Sequence, residues 1–485
     1  MSDPHSALSN PVRPFVIAKY SGQLMLALAV LNLPPLVCAL LNQEWEFGSR
    51  ILTVLLICLG GFLLSTRIAE PKNIQNNEAL VIISSIFIMT ALFMTFPLIS
   101  AGLKPLDAFF ESVSAITTTG LSTVRNLSEK PRSFLFTRAW MQWYGGLGFV
   151  VFSVAMMAHH HIAARRLIQP EQDGSLMTSA RFHARQILLV YLGITGVGLI
   201  ILRPLLSDGF SAAQHVFAAV STGGFSPFDN SLEGLQSTGG RLAVVGIALI
   251  GAIPLPLLYY WYDKKQTRLG PDTEFIAYLF ALTLTCGALF LAFDAESDNL
   301  PQAFENAILM GISAQSTAGF SSMDLEHAPA VAIFILILSM FIGGCVGSTA
   351  GGAKILRVLI CARHLQHALL LTALPNRAVV KPRIGDRDLH QDESIRALLL
   401  LALFAGVIAI SWPIFIAFGY PPLNSLFEVC SATATAGLSS GITKTALEPE
   451  LKLLLCLDML LGRLEIIALL VLCYPRTWIG RGESS

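Results

Sequence analysis

The sequence has little charge for its length of 485 residues. Asp, Glu, Lys and Arg make up 13% of it, whereas soluble domains carry about 25%. Acidic and basic residues number 32 each, so the formal net charge is zero and nothing indicates a nucleic-acid partner. Hydrophobic residues make up 54%, and the mean hydropathy is +0.64. We therefore expect an integral membrane protein that lies in a lipid bilayer.

Several kinds of chemical site are also missing. The 8 cysteines stand singly in apolar runs, which favours reduced thiols over disulfides or a metal site. No glycine-rich nucleotide loop follows a strand, so any nucleotide control needs a partner. The only metal-like cluster is His159-His160-His161, but consecutive side chains point in different directions on a helix, which favours an interfacial anchor. We predict no enzyme activity, no catalytic residue and no cofactor in this chain.

The N-terminal segment Met1 to Arg13 is polar and is followed by an apolar run. It has no small-residue cleavage site after that run. The run is therefore predicted to be a retained membrane helix and not a removed signal.

One short motif occurs four times along the chain. Each copy has Ala five residues before a glycine, Thr two before, Leu or Phe one after and Ser two after. The glycines are 104, 95 and 118 residues apart, which indicates a fourfold internal repeat. The copies are Ala115 to Ser122, Ala219 to Ser226, Ala314 to Ser321 and Ala432 to Ser439.

A Thr-x-Gly loop inside a membrane can expose backbone oxygens. Glycine tolerates positive φ, so the carbonyls beside it can be turned the same way. Four such loops around one axis would form an oxygen ring that replaces the water shell of a monovalent cation. The alternative is an ordinary small-residue turn between helices. The predicted ion-binding residues are Thr118, Thr119, Gly120, Thr222, Gly223, Gly224, Thr317, Ala318, Gly319, Thr435, Ala436 and Gly437.

The hydropathy pattern predicts an all-α integral membrane protein with fourfold pseudo-symmetry around one ion pore. A two-helix hairpin at residues 1–72 comes first, and Pro34-Pro35 should kink its first helix. Each following unit has a spanning helix, a half-helix too short to cross the bilayer, the loop and a second spanning helix, which gives ten spanning helices. The units are 73–165, 166–268, 269–392 and 393–485, and the half-helices are Leu106–Ile116, Ala212–Val220, Gln302–Ser313 and Leu423–Ala432.

The second spanning helix of the third unit contains an unusual run of glycine. Five of the ten residues from Gly343 to Gly352 are glycine, and each costs roughly 1 kcal/mol in a helix interior. We expect the chain to unwind there and to obstruct the ion path; the alternative is tight helix packing through glycine. The predicted gate residues are Gly343, Gly344, Gly347, Ser348, Thr349, Gly351, Gly352 and Arg463.

A few charged residues lie within apolar segments. Arg463 would place a cationic barrier in the pore, since intramembrane charges are costly and often functional. Alternatively it forms a structural pair, and because Glu465 falls on a different helix face, Asp458 or another helix is favoured. Glu111 and Glu428 each lie nine residues before a repeat glycine. Anchoring of the half-helices is favoured for them over attraction of cations.

Basic residues concentrate in the connections between units, which the positive-inside rule places in the cytoplasm. Both termini are then cytoplasmic, and the four loops face outward. The stretch Arg363 to Arg396 is a docking surface for a cytoplasmic partner or a solvated loop near anionic headgroups.

Three motifs in order resemble the Trk/Ktr/HKT superfamily of potassium transporters, and most closely its bacterial TrkH-like members. They are the four loops, GGCVGSTAGGAK and LGRLEI. The resemblance implies a homodimer in the bacterial inner membrane, with one potassium pore per protomer and a TrkA-like cytoplasmic subunit that binds nucleotide. It also implies that Gly343 to Gly352 and Arg463 form the gate. Gly120 matches the residue that accompanies potassium preference, and the fourth loop is closer to Ktr-like members.

The repeat pattern also bears on two other kinds of transporter. A secondary transporter with inverted repeats would show two halves, whereas this unit recurs four times in one orientation. Proton- or sodium-coupled potassium symport on the same scaffold stays open, because no residue pattern separates coupled from downhill flow.

Overall fold

The computed structural model of the chain describes residues 11–69, 74–159, 176–262, 273–295, 299–373, 381–385 and 387–478. Several sequence predictions lie outside these residues. They are the polar segment up to residue 10, His160 and His161, and parts of the basic connections, including residues 374–380 and 386 of the stretch Arg363 to Arg396.

The N-terminal hairpin consists of α1 (Pro14–Leu31), α2 (Leu33–Leu41) and α3 (Trp45–Thr66). The helix is interrupted at Asn32, whose side-chain amide donates to the carbonyl of Leu28 at 2.9 Å. The break lies just before Pro34 and Pro35, which lack the N–H that would continue the helix. In the hairpin, α1 and α3 pack against the first helix of the first unit (Asn76–Ile99), and α2 packs against the return helix of that unit (Arg132–His159).

Each unit has a long helix, a short helix, a loop and a return helix. The first has α4 (Asn76–Ile99), α5 (Pro105–Ile116) and α6 (Arg132–His159); the second has α7 (Leu176–Leu205), α8 (Gly209–Val220), α9 (Thr238–Gly251) and α10 (Leu255–Tyr262). The third has α11 (Thr273–Asp294), α12 (Leu300–Gln315), α13 (Ala330–Ile342) and α14 (Ile355–Ala373); the fourth has α15 (Gln391–Ala417), α16 (Pro422–Thr433), α17 (Pro449–Arg463) and α18 (Ile467–Cys473), before α19 (Pro475–Trp478).

The short helices form the centre of the molecule. Phe110, Val216, Leu309 and Phe427, one from each of them, are 0% exposed. The long first helices carry many exposed apolar side chains instead, such as Phe280 at 70%. This arrangement is typical of a protein that presents apolar surface to lipid and places its polar backbone features inside.

The helix lengths support an all-α membrane protein but divide the predicted spans unevenly. Among the described residues, seven helices are long and apolar enough to cross a membrane, or eight if the bent pair α9 and α10 counts as one. Of the ten predicted spans, the return helices of the first and fourth units are not among them, and that of the third unit is represented only by its second part, α14. Helix α6 is 28 residues long but carries Arg132, Arg138 and Gln142, and the return helix of the fourth unit is interrupted between α17 and α18.

The return helices are broken in three units, whereas the sequence analysis expected only the third to break. Helices α9 and α10 meet at a bend of 95°, where Pro254 removes a helical N–H. Helices α13 and α14 are separated by residues 343–354, named the 343–354 segment below. Between α17 and α18, Glu465 and Ile466 have φ of 53° and 60°, and no residue there signals the break.

A two-residue antiparallel pair, β1 (Arg383–Ile384) with β2 (Arg387–Asp388), is an exception to the helical fold. It lies within the basic stretch Arg363 to Arg396 and contacts α14. In the same stretch, Arg363 is exposed on α14.

Candidate functional site

All four short helices end with the same backbone motif. The residue just before each repeat glycine donates its N–H to a carbonyl five residues earlier, as Thr119 does to Ser114 at 2.9 Å and Gly223 does to Ala218 at 2.7 Å. The threonine directly before this donor residue has φ between 49° and 54°. This is a Schellman motif, in which glycine is the usual left-handed residue. The four left-handed threonines are Thr118, Thr222, Thr317 and Thr435.

A β-branched residue with positive φ is uncommon. Such a conformation costs on the order of 1–3 kcal/mol and persists only where the surroundings enforce it. Thr118, Thr222, Thr317 and Thr435 are each at most 1% exposed, so the packed centre holds this backbone. Repetition of the same strained residue in four loops indicates that a particular loop shape is required.

The four repeat glycines form a closed ring. Each has φ between 74° and 92°, which glycine adopts readily. A Cβ atom added to any one of them would overlap the carbonyl oxygen that precedes the next glycine. The overlaps run from Gly120 to Gly223, from Gly224 to Ala318, from Gly319 to Ala436 and from Gly437 back to Thr119. The loops that carry all twelve sequence-predicted ion-binding residues therefore lie together.

The ring offers neutral oxygen atoms. Besides the carbonyls, the hydroxyl of Thr118 is buried and has no hydrogen-bond partner in the described part of the chain. The described residues contain no group of three or more His, Cys, Asp or Glu side chains that could hold a metal ion. Neutral oxygens suit a monovalent cation that sheds its water, whereas calcium sites usually include carboxylates.

A cavity of about 620 Å³ opens onto the ring and is lined by all four repeat glycines. We call its side the outer face and the opposite side the inner face. The cavity also has charged residues of both signs: Arg125, Arg138, Asp229, Glu233, Asp324 and Lys444. A hydrated ion therefore meets a wide polar space before it reaches the narrow ring.

The residue nine positions before each glycine anchors its loop on the outer face. Glu428 accepts hydrogen bonds from the hydroxyls of Ser439 at 2.7 Å and Thr443 at 2.6 Å and from the N–H of Ser440 at 2.7 Å. Glu111 accepts from Ser122 at 2.7 Å and from the N–H of Thr123 at 2.9 Å. Both carboxylates therefore hold loop backbone, which is the role that the sequence analysis favoured.

The same position in the other two units carries different side chains with the same partner. His215 Nε2 lies 3.3 Å from the hydroxyl of Ser226, and Met310 Sδ lies 3.9 Å from that of Ser321. In each unit the contacted serine is the one two residues after the glycine. Sequence reasoning missed His215 and Met310, although their spacing to Gly224 and Gly319 was a usable signal.

Arg138 of α6 supports the first loop. Its Nε lies 2.9 Å from Glu111 Oε2, and its Nη2 donates to the hydroxyl of Ser122 at 3.1 Å. The guanidinium carbon lies 3.9 Å from the centre of the Phe225 ring, a cation–π distance. A buried arginine is thereby paired, and the first and second loops are joined through it.

The 343–354 segment lies against the inner face of the ring. The N–H of Gly351 donates to the hydroxyl of Thr317 at 2.6 Å, and the N–H of Gly352 donates to the carbonyl of Ala434 at 2.9 Å. The Thr349 hydroxyl lies 3.1 Å from the Val220 carbonyl and 2.9 Å from that of Gly251. The segment thus contacts the second, third and fourth units, and the chain leaves helical geometry there as predicted.

Two helix breaks satisfy each other's backbone groups. Cys345 donates its N–H to the carbonyl of Ala252 at 3.2 Å, and Leu255 donates to that of Gly347 at 3.0 Å. The carbonyl of Gly343 accepts from the side chain of Gln315 at 2.8 Å. Buried backbone groups need such partners. The remaining predicted gate residues, Gly344 and Ser348, lie in the same segment, and Ser348 donates to Cys345 O at 2.6 Å.

Arg463 lies behind this segment and is 1% exposed. Its Nη1 donates to the carbonyl of Thr349 at 2.9 Å, and its guanidinium carbon lies 4.1 Å from the centre of the Phe149 ring. Lys354 also lies over that ring, with its Nζ at 5.4 Å. Arg463 and Lys354, the last residue of the segment, therefore place two buried basic side chains at the same ring, and no role for Lys354 or Phe149 was predicted from the sequence.

Neither carboxylate considered as a structural partner of Arg463 pairs with it. Asp458 accepts from the hydroxyl of Ser411 at 2.9 Å, and Glu465 forms an ion pair with Arg357 at 2.7 Å. Helix α17 ends at Arg463, so Glu465 lies beyond the helix, with a φ of 53°. The prediction of Asp458 is therefore wrong, and the hydrogen-bond partner of Arg463 is the Thr349 carbonyl.

A second set of glycines was also missed. Gly145, Gly251 and Gly462 of the return helices would each, with an added Cβ, overlap or crowd the carbonyl oxygen of Ile116, Val220 or Thr433 at the end of a short helix. They follow the repeat glycines by 25, 27 and 25 residues, a recurrence visible in the sequence. These glycines let the return helices approach the ring closely.

These features define an all-α, multi-pass membrane protein with a fourfold internal repeat around a buried backbone ring. The TrkH family profile, described as a cation transport protein, matches residues 49–477. The chain belongs to the TrkH family of cation transport proteins.

Relatives match over nearly the whole chain. The potassium uptake protein TrkH of Vibrio parahaemolyticus is 29% identical over 493 residues, covering 95% of this chain and 99% of that protein. An uncharacterized cation transporter of Methanocaldococcus jannaschii is 27% identical, with 93% of each chain covered. The crystal structure of the potassium transporter TrkH from Vibrio parahaemolyticus has a TM-score of 0.84 at 26% identity and covers 96% of this chain and 100% of its own.

Proposed function

We propose that this chain takes up potassium through a pore whose selectivity filter is the ring of four glycine loops. The observation that carries the proposal is the closure of the ring, in which each repeat glycine abuts the carbonyl that precedes the next glycine. The similar proteins named as potassium uptake proteins support potassium as the transported ion.

The backbone shape explains why a dehydrated potassium ion would suit this ring. Carbonyl oxygens replace part of the hydration shell, and the number and orientation of these dipoles set the preference between alkali cations. The positive φ of Gly120, Gly224, Gly319 and Gly437 lets the four loops approach without side chains between them. The helix C-termini that end at the loops add negative potential that favours a cation.

The 343–354 segment and Arg463 serve as the gate in this proposal. The segment lies against the inner face of the ring, where it bonds to Thr317 and Ala434. Arg463 holds it through the carbonyl of Thr349 and places a buried positive charge near the path. Conduction then requires the segment to move away from the ring, which breaks these bonds.

The setting follows from the family resemblance. The chain works as a homodimer in the bacterial inner membrane, with both termini cytoplasmic and the outer face of the ring outside the cell. A TrkA-like nucleotide-binding subunit docks on the cytoplasmic side, where Arg363 is exposed on α14 and β1 and β2 lie within the same basic stretch. Co-purification with such a subunit, and its loss when Arg363 and Arg383 are changed to Glu, tests this docking.

A coupled symporter on the same scaffold is the second candidate. Asp458 is 0% exposed, and its Oδ2 has no hydrogen-bond partner in the described part of the chain. Intramembrane carboxyls of this kind are used as proton relays in transporters. Uptake that follows a proton gradient and is lost in Asp458→Asn would favour symport.

The test is rubidium and sodium uptake into liposomes that contain the purified protein, with and without a pH gradient. We expect uptake that prefers rubidium and is indifferent to the gradient. Gly120→Ser should lower the rubidium-to-sodium ratio because its side chain would collide with the carbonyl of Gly223.

Gly102→Ser is the matched control for that substitution. Gly102 also has a positive φ, 78°, but a Cβ there would have nothing within 4 Å. The control should keep the ratio of the unaltered chain. An unchanged ratio in Gly120→Ser, in folded protein, would contradict the assignment of the filter.

A further inference from the structure

One side chain outside the repeat motif holds the second loop of the ring. Gln142 of α6 donates from its amide nitrogen to the carbonyl of Gly223. Its amide oxygen accepts the N–H of Phe225 at 3.1 Å. The two bonds lie on either side of Gly224, and Gln142 is 0% exposed. A single buried amide therefore fixes both backbone groups that flank a repeat glycine.

This arrangement makes one quarter of the ring unlike the others. The carbonyls equivalent to that of Gly223 belong to Thr119, Ala318 and Ala436, and no described residue donates a hydrogen bond to them. Gln142 lies three residues before Gly145, the glycine at which the first return helix approaches the ring. In the second and fourth units the equivalent residues before Gly251 and Gly462 are apolar, Ala248 and Met459.

Gly223 is matched to Gln142. A Cβ added to Gly223 would lie 2.5 Å from Gln142 Cδ, closer than side-chain carbons pack. Every other loop has a Cβ at this position, in Thr119, Ala318 or Ala436. The φ of Gly223 is not among the positive values of the chain, so its conformation does not require glycine. The absence of a side chain is explained by the space that the amide occupies.

We infer that Gln142 is a positioning residue that sets the ion preference of the filter through the Gly223 carbonyl. The inference rests on the proposed function and deepens it. The bond from the amide fixes the direction of this carbonyl and withdraws electron density from its oxygen, so that the ring has one stiffer and weaker ligand among four. Filter preference depends on the number and field strength of such dipoles, so the loss of one donor changes discrimination between potassium and sodium.

The first variant is Gln142→Leu, which keeps much of the volume and removes both hydrogen bonds. We expect the rubidium-to-sodium uptake ratio in liposomes to fall by roughly threefold to tenfold, the size of one or two net hydrogen bonds, while total cation uptake persists. Thr137→Val is the control on the same helix, since it removes a buried hydrogen bond to Ser133 at 2.6 Å away from the ring. Its ratio should equal that of the unaltered chain.

A second variant separates positioning from packing. Gly223→Ala alone should lower both thermal stability and the uptake ratio, because the new Cβ collides with Gln142. The double variant Gln142→Ala, Gly223→Ala gives the second loop the alanine found in the third and fourth loops. It should regain the stability that Gly223→Ala loses but not the ratio. Recovery of the ratio in the double variant would overturn the inference.

The outcomes also separate this inference from the proposed function. If the unaltered chain shows no preference between rubidium and sodium, the proposed filter fails. If the unaltered chain discriminates and Gln142→Leu discriminates equally well, only the role of Gln142 fails.

Discussion

The ring of glycine loops and the return helices beneath it follow opposite rules. In the ring, four stretches of sequence adopt one backbone shape, with threonine φ between 49° and 54° and glycine φ between 74° and 92°. In the return helices the four units diverge: α6 is continuous, α9 and α10 bend by 95°, the 343–354 segment unwinds, and α17 ends at Arg463. The four loops keep the fourfold symmetry of the repeat, whereas the four return helices differ from one another.

The difference is instructive because the two regions have different tasks in the proposed mechanism. A cation on an axis needs a ligand from every side, which constrains the backbone of all four loops alike. A gate needs a single element with two positions, and such an element depends on particular partners. Arg463 and Phe149 lie beside a segment that occurs once in the chain, and Lys354 belongs to that segment, so the repeat does not reproduce these residues in every unit.

The largest loss of uptake is expected when a glycine of the ring is replaced. Gly437→Ala places a Cβ against the carbonyl of Thr119 at a φ of 86°, so the ring must open. We expect potassium uptake into liposomes to fall by about a hundredfold, which corresponds to nearly 3 kcal/mol.

Gly419→Ala is the control for this substitution. Gly419 has a φ of 92°, but a Cβ there meets nothing within 4 Å, so the backbone strain is shared and the collision is not. Equal losses in both variants would show that strain, and not ring geometry, decides the outcome.

Substitutions in the proposed gate should raise uptake, whereas substitution of a ring glycine lowers it. Arg463→Ala removes the hydrogen bond to Thr349 and a buried positive charge, so the segment should leave the ring more readily. We expect uptake to rise by about tenfold, in line with a hydrogen bond to a charged group, with the rubidium-to-sodium ratio unchanged. Shortening of Gly343 to Gly352 should have the same sign.

Arg241→Ala serves as the control for Arg463→Ala, because its ion pair with Glu305 at 3.3 Å is partly exposed and far from the segment in sequence. Lower uptake by folded Arg463→Ala protein would remove Arg463 from the gate.

The smallest effect is expected at the position nine residues before each repeat glycine, where the four units already carry three different residue types. His215→Met gives the second unit the residue that the third unit carries at the same place, Met310. We expect an unchanged rubidium-to-sodium ratio and a melting temperature lower by only about 1 °C, the shift that a loss of about 1 kcal/mol produces in a chain of this length. A collapse of the ratio would mean that the anchors act on selectivity and are not interchangeable supports.

The sequence carried the symmetric region well because every element of it is repeated. The predicted half-helix Leu106–Ile116 is observed as Pro105–Ile116, and Leu423–Ala432 as Pro422–Thr433. Repetition also located the twelve loop residues that meet in the ring. The glycine run at Gly343 was readable by itself, since so many glycines are costly in a helix.

The asymmetric region was harder to foresee because its determinants are contacts between distant residues. The break after Arg463 has its positive φ at Glu465 and Ile466 and not at the neighbouring Gly462, and Glu465 pairs with Arg357 of another helix. Asp458 is bonded to Ser411 of another helix, and Gln142 reaches a loop 81 residues away. Helical spacing describes one helix at a time and cannot report such partners.

The most direct measurement is the position of a bound ion. Crystals of the full-length protein grown with thallium, which substitutes for potassium and scatters anomalously, would place that ion relative to the loops. The proposed function predicts an anomalous peak on the common axis of Gly120, Gly224, Gly319 and Gly437, bounded by their neighbouring carbonyls. Peaks found only elsewhere in the protein, with the ring empty at saturating thallium, would contradict it.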